Sequence, residues 1–203
     1  MDDFASWIDG MRAALHGERD AVVPCNGCTA CCTSSQFVHV EPGETDALAH
    51  IPRELLFPAP GRPAGHVVMG YDERGHCPML ADGRCSIYAH RPRACRTYDC
   101  RVFAAADVAV DDPAHAAIAQ RVTQWHFDIP TDDARARRDA VRAAAAFLGV
   151  HAELVPAPTA AARAALAVEI YELFLGGTQP SDEAVRAAIA SVTSGPCPET
   201  RRP

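Results

Sequence analysis

Phe4, Trp7, Ile8, Met11 and Leu15 recur at helical spacing and predict one amphipathic helix that ends near Gly17. After Pro24 the periodicity becomes short and broken. FVHV at 37–40 and HVVMGY at 66–71 alternate like strands, and GETDALAHI at 43–51 reads as a short helix stopped by Pro52. FPAPGRPAG at 57–65 reads as a loop. Asp82-Gly83 is a turn signal between CPML and CSIY, so those two runs predict a hairpin. Pro92 suits the first turn of a helix carrying RACRTYDC.

Beyond about residue 104 alanine dominates and helical signals repeat. Asp112-Pro113 predicts a capped helix running to about Phe127, with His126 as a helix residue. Thr131 or Asp132 caps a second helix that Gly149 closes. Thr159 caps a third through Leu175, closed by Gly176-Gly177, and Ser181 caps a last one to about Val192. Trp125, Phe127, Val141, Phe147, Leu148, Leu166, Ile170, Tyr171, Phe174 and Ile189 are the apolar positions around which these helices pack. The expected class is α+β, mostly α: an N-terminal helix (1–21), a cysteine-rich irregular lobe with short strands (22–103) and a helical C-terminal half (104–203) packing on it.

Composition narrows the chemistry. Of 203 residues, 48% are apolar, enough for a hydrophobic core, and the net charge of −7 argues against nucleic acid as a partner. All 19 basic residues are arginine, which excludes Schiff-base chemistry on the protein and any lysine-dependent phosphate loop. No apolar run approaches the roughly 18 residues of a membrane span. The N-terminus, acidic and amphipathic, lacks the basic flank and apolar stretch of a signal peptide, so the expected location is cytoplasmic. Disulfides are rare there, and clustered cysteines hold metal or do redox chemistry.

There are nine cysteines, eight of them between Cys25 and Cys100. Cys25, Cys28 and Cys31 follow C-x2-C-x2-C, and Cys32 comes next. A C-x2-C turn brings two thiolates to one metal because the backbone reverses between them. Side chains of neighbouring residues diverge, so Cys31 and Cys32 seldom reach one mononuclear ion together: either they serve two metals, or one has another task. The second group, Cys77, Cys85, Cys95 and Cys100, has the spacing of neither a zinc ribbon nor a classical finger. Four plus four thiols make two closed sites, or one site with free thiols left over. Zinc and iron are both open, including a 4Fe-4S centre, since C-x2-C-x2-C is like the start of a bacterial ferredoxin run and Cys77-Pro78 supplies a C-P ligand from elsewhere. Arg74, Arg84, Arg91, Arg93, Arg96 and Arg101 surround the second group; they could lower thiol pKa, form a solvated face or hold an anionic substrate.

CNGCTACC at 25–32, CPML at 77–80 and CSIYAHRPRACRTYDC at 85–100 resemble the YkgJ-type cysteine-cluster family, the CxxCxxCC proteins described as zinc- or iron-chelating. The resemblance covers about residues 22–102. It implies metal chelation by Cys25, Cys28, Cys31, Cys32, Cys77, Cys85, Cys95 and Cys100, often described as an iron–sulfur cluster. Flagellin lysine-N-methylases look related through the same cysteine signature, though no motif in the alanine-rich helices matches a methylase site.

His76 and His90 are further ligand candidates, ranked behind the thiols. His39 reads as a half-buried strand residue, Tyr88 and Tyr98 as packing around the site, and Cys197 as a bystander thiol in a proline-rich tail. Three functions follow: a protein that binds zinc or iron through its clustered cysteines; an enzyme using an iron–sulfur centre for redox or methyl transfer on a protein or small molecule; or a metal-handling protein with a labile ion.

Overall fold

The computed structural model describes residues 2–25, 27–157 and 159–193; Cys197 lies outside them. The strands are β1 (Asp2–Asp3), β2 (Val38–Val40), β3 (Leu56–Pro58), β4 (Val67–Met69), β5 (Leu80–Ala81), β6 (Arg84–Cys85) and β7 (Phe127–Asp128). The helices are α1 (Phe4–Leu15), α2 (Thr45–His50), α3 (Arg93–Thr97), α4 (Arg101–Ala106), α5 (Ala116–Val122), α6 (Asp132–Val150), α7 (Ala160–Ile170) and α8 (Asp182–Thr193). Helix takes 52% and strand 9%, so the class is α+β, mostly α. The chain divides into two units.

The helical unit takes in residues up to Arg19, Cys100–Ala109 and the chain from Val122 onward. Its helices start where side-chain oxygens can accept otherwise unbonded amides. Asp3 caps α1 by accepting from the Ser6 amide at 2.8 Å, Thr131 caps α6 through Ala134 at 3.1 Å, and Thr159 caps α7 through Ala162 at 3.1 Å. Ser181 accepts from Ala184 at 3.3 Å at the start of α8. Phe4, Ile8, Val141, Leu148 and Val168 are almost fully enclosed in the core where α1, α4, α6 and α7 meet. Alanines at 140, 144, 145, 164 and 167 are buried too, and their small side chains let helices approach closely. Arg101, itself buried, pairs with Asp2.

Three sequence expectations change here. The helix capped by Asp112 is a 3-10 turn, Pro113–His115, followed by α5, and it stops at Val122. Trp125 and His126 lie in a connection, and Phe127 is in β7, which pairs in parallel with β1. Tertiary packing overrides the local helical signal: the Phe127 ring sits 5.2 Å from Phe4 and 4.9 Å from Trp7. Gly149 does not close α6, which continues to Val150; the His151 amide bonds the Phe147 carbonyl at 3.0 Å. The third helix gives way after Ile170 to a 3-10 segment, Tyr171–Gly177, with Gly176 and Gly177 at its end as expected.

The cysteine-rich unit comprises Asp20–Asp99 and Val110–Arg121. Its antiparallel sheet has the order β2-β4-β3. The 57–65 segment is therefore not all loop. Its first residues pair as edge strand β3, and an edge is where a strand tolerates Pro58. One sheet face buries Val38, Val40 and Met69 with Ala47 and Ile51 of the α2 region, and with Met79 and Ile87. β5 and β6 form the expected hairpin; Asp82 and Gly83 both take positive φ, 49° and 73°, as a two-residue primed turn requires. RACRTYDC does not make one helix: α3 ends at Thr97, Tyr98 is extended, and α4 begins anew at Arg101.

Ile8→Ala removes a fully enclosed side chain and should lower the unfolding free energy by about 2–5 kcal/mol in chemical denaturation. Thr131→Ala, which removes one cap, should cost about 1 kcal/mol in the same measurement.

Candidate metal centre

A cavity of about 540 Å³ opens within the cysteine-rich unit, and Cys25, Cys28, Cys31, Cys32, Cys77, Cys85 and Cys95 all line it. Both cysteine groups thus face one space. None of the described cysteines forms a disulfide. The eighth, Cys100, belongs to the helical unit, where it precedes α4. It is 7% exposed, and the Trp125 indole N–H donates to its Sγ at 3.1 Å.

Local hydrogen bonds explain how distant cysteines come together. The Cys28 amide donates to the Cys25 carbonyl at 2.8 Å, closing the C-x2-C turn. The Ala30 amide points at Cys28 Sγ, 3.5 Å away. Cys31 and Cys32 begin a 3-10 turn that the Ser34 hydroxyl supports by donating to Ala30 O at 2.7 Å. The Cys77 amide then donates to the Cys32 carbonyl at 2.7 Å, which ties the second cysteine group to the first. Cys77 continues into the hairpin, because Leu80 N–H bonds its carbonyl at 2.9 Å and Leu80 pairs with Cys85. Cys95 rides on α3, whose Arg93 amide is received by the Glu44 carboxylate. Cys77, Cys85 and Cys95 pack against the apolar core beneath the sheet.

The loop before Cys77 is built by residues whose roles the sequence pattern did not disclose. The Asp72 carboxylate accepts from the amides of Arg74 at 2.9 Å and His76 at 2.8 Å, and that amide bonding to His76 chiefly holds its pKa below the usual carboxylate range. Gly75 sits at φ +78°, and a Cβ there would lie 2.3 Å from Ser35 Oγ; its carbonyl accepts from Ser35 N–H at 2.9 Å. An Asp-x-x-Gly turn ending two residues before Cys77 is the only sequence signal that could have marked this brace. Glu44, the other brace, carried none beyond its place ahead of a short helix.

Arginine lowers the thiol pKa values, one of the roles open to it, but burial outweighs it. Burial is the largest influence at Cys25, Cys32, Cys77 and Cys95, and it pushes all four up. Cys32 is pushed to about 11, by burial first and then by the thiols of Cys77, Cys85 and Cys28. Cys95 is pushed to about 12, by burial and by Cys77, Cys32 and Cys85. Arg91 opposes the rise at Cys25, Cys32 and Cys95 without reversing it. Among the thiols Cys77 feels Cys85, and Cys25 feels Cys28.

The six arginines have separate fates. Arg84, Arg91 and Arg96 reach the cavity wall. Arg91 stacks its guanidinium 3.7 Å from the centre of the Tyr88 ring, and Arg96 pairs with Asp20 at 3.3 Å. Arg74 pairs with Asp72, Arg93 with Glu41, and Arg101 with Asp2 in the helical unit. Tyr88 and Tyr98 line the cavity, and Tyr88 is 59% exposed rather than packed away. Of the histidines, His76 gives its amide to Asp72, His90 meets Asp46, and half-buried His39 lies 3.0 Å from His66 across the sheet.

Residues 24–117 match the CxxCxxCC family model, described as a putative zinc- or iron-chelating domain. This segment is similar to the CxxCxxCC domain. It spans all eight ordered cysteines, Cys100 included. Among curated proteins and among solved structures nothing matches the chain, so the likeness to flagellin methylases remains one of cysteine spacing. The family description makes a metal ion, zinc or iron, the partner of the CxxCxxCC domain. The cavity is lined by seven cysteines, whose soft sulfur suits either metal. No described helix is long and apolar enough to cross a membrane.

Raised thiol pKa values make the metal-free fold sensitive to alkali. A thiol whose pKa is higher folded than unfolded contributes stability in full below the unfolded value, and that contribution is lost as pH rises through the folded value. Thermal melts of metal-free protein should therefore shift downward from about pH 9 toward the folded values of about 11 for Cys32 and about 12 for Cys95. A flat profile over that range would refute this burial. Gly75→Ala should destabilise the protein by about 1–3 kcal/mol in urea titration, through left-handed strain and the clash with Ser35.

Proposed function

We propose that this protein is a metal-chelating protein whose clustered thiolates hold an iron–sulfur centre, with Cys32, Cys77, Cys85 and Cys95 as one ligand set and Cys25, Cys28 and Cys31 turned toward a neighbouring one. The supporting observation is the spacing of the thiols around their shared cavity. Four thiolates on one zinc, each at about 2.3 Å, stand roughly 3.8 Å apart. Among the described residues, no three of the seven cavity sulfurs lie within 4.8 Å of one another. A polynuclear iron–sulfur core, whose thiolates bind separate irons, accepts wider spacing than a single ion does. This division also gives Cys31 and Cys32 different partners, as the divergence of adjacent side chains requires.

The chain's own residues prepare such a site in three ways. The Cys77–Cys32 backbone bond and the β5–β6 hairpin hold the ligands of the first set without metal. Burial keeps the Cys32 and Cys95 thiols protonated at neutral pH, so binding displaces protons and affinity rises with pH. Arg91, anchored on Tyr88, offsets thiolate charge from the cavity wall. When bound, the centre supplies one-electron redox capacity at this cavity.

Anaerobic purification followed by iron, sulfide and zinc analysis and a visible spectrum tests the reading. Iron and acid-labile sulfide in matching amounts, with broad visible absorption, are expected. Cys95→Ala should remove most of that iron and sulfide, and Cys197→Ser should leave both unchanged. Colourless protein holding only zinc would replace the iron–sulfur reading with mononuclear thiolate sites, and metal-free protein would sink both.

A further inference from the structure

Away from the thiol cavity, α2 and the turn Tyr88–His90 bring Asp46, His50 and His90 together. One ligand atom of each lies within 4.8 Å of the other two. Asp46 and His50 are four residues apart on α2, so they share one helix face. His90 comes from 40 residues further along the chain, and its Nδ1 lies 2.9 Å from Asp46 Oδ2. His50 donates its Nδ1–H to the Asp46 backbone carbonyl at 2.8 Å, so the lone pair of its neutral ring is on Nε2. The two rings stack with centroids 3.5 Å apart and planes 6° from parallel.

We propose that Asp46, His50 and His90 form a second metal site, which takes a borderline divalent cation such as Zn2+, Ni2+ or Co2+ with water completing its shell. Two imidazoles and one carboxylate are the donor set that borderline transition ions prefer, and it differs in kind from the all-thiolate cavity. Hard cations such as Mg2+ and Ca2+ favour oxygen donors and would be bound poorly. Parallel rings do not both aim a nitrogen lone pair at one ion. Closure therefore requires one ring to turn about χ2, and side-chain exposures of 41% for His50 and 38% for His90 leave room for that turn without backbone movement. Asp46 already contacts both rings and serves as ligand or as the group that orients them. The site is open to solvent, which fits an exchangeable ion rather than a buried structural one.

The test titrates Co2+ into the protein as purified, with its cysteine-bound metal in place. One further equivalent is expected, with weak visible bands from nitrogen and oxygen ligands and no intense thiolate-to-cobalt charge transfer. His50→Gln and His90→Gln should each weaken this equivalent by at least roughly tenfold, and Asp46→Ala should weaken it too. The metal and sulfide content of the cysteine cavity should not change in these variants, so failure here is separable from failure of the thiolate reading. Absence of an additional equivalent would overturn the proposal. So would an equivalent that persists in the His50→Gln/His90→Gln double variant, or one that carries thiolate charge transfer.

Discussion

The Cys77 amide bonded to the Cys32 carbonyl at 2.7 Å is the contact on which the cysteine-rich unit depends. It joins two stretches of chain separated by a sheet and a helix, and it does so through backbone, whatever the thiols bind. Around it, the Asp72–Gly75 turn shapes the approach to Cys77, and the Ser34 hydroxyl secures the turn holding Cys32. Cys32 and Cys77 are therefore held together by backbone alone.

That preorganisation has a consequence for the thiols. Burying Cys32 and Cys95 beside other thiols disfavours their ionised forms, and Arg91 only moderates the effect. The cavity is thus poorly suited to free thiolates and better suited to thiolates whose charge a cation neutralises. Partial burial here disfavours the reactivity of a nucleophilic cysteine, which requires an electropositive and exposed setting. The surface trio of Asp46, His50 and His90 has the opposite character: nitrogen and oxygen donors, open to water.

Much of the local structure was legible in the chain. The caps at Thr131, Thr159 and Ser181 act as the sequence predicts, because a short side chain accepting a nearby amide is a local interaction. The Asp82-Gly83 hairpin is local for the same reason. Phe127 was misread because its environment comes from Phe4 and Trp7, more than 100 residues away. Edge strand β3 was hidden because proline and glycine around it look like loop, and only pairing with β4 makes it strand.

The order of the cysteines and the family signature they carry were determined by sequence alone, as was the choice of metal over disulfide chemistry. Ligand type depends on residue identity and spacing, and both are written in the chain. What only tertiary structure decided is that Cys32 shares one cavity with Cys77, Cys85 and Cys95, across gaps of 45, 53 and 63 residues. It also decided that three of the six nearby arginines face the cavity while the others meet carboxylates elsewhere. Proximity between distant residues arises from packing and long-range hydrogen bonds, and no spacing along the chain encodes it.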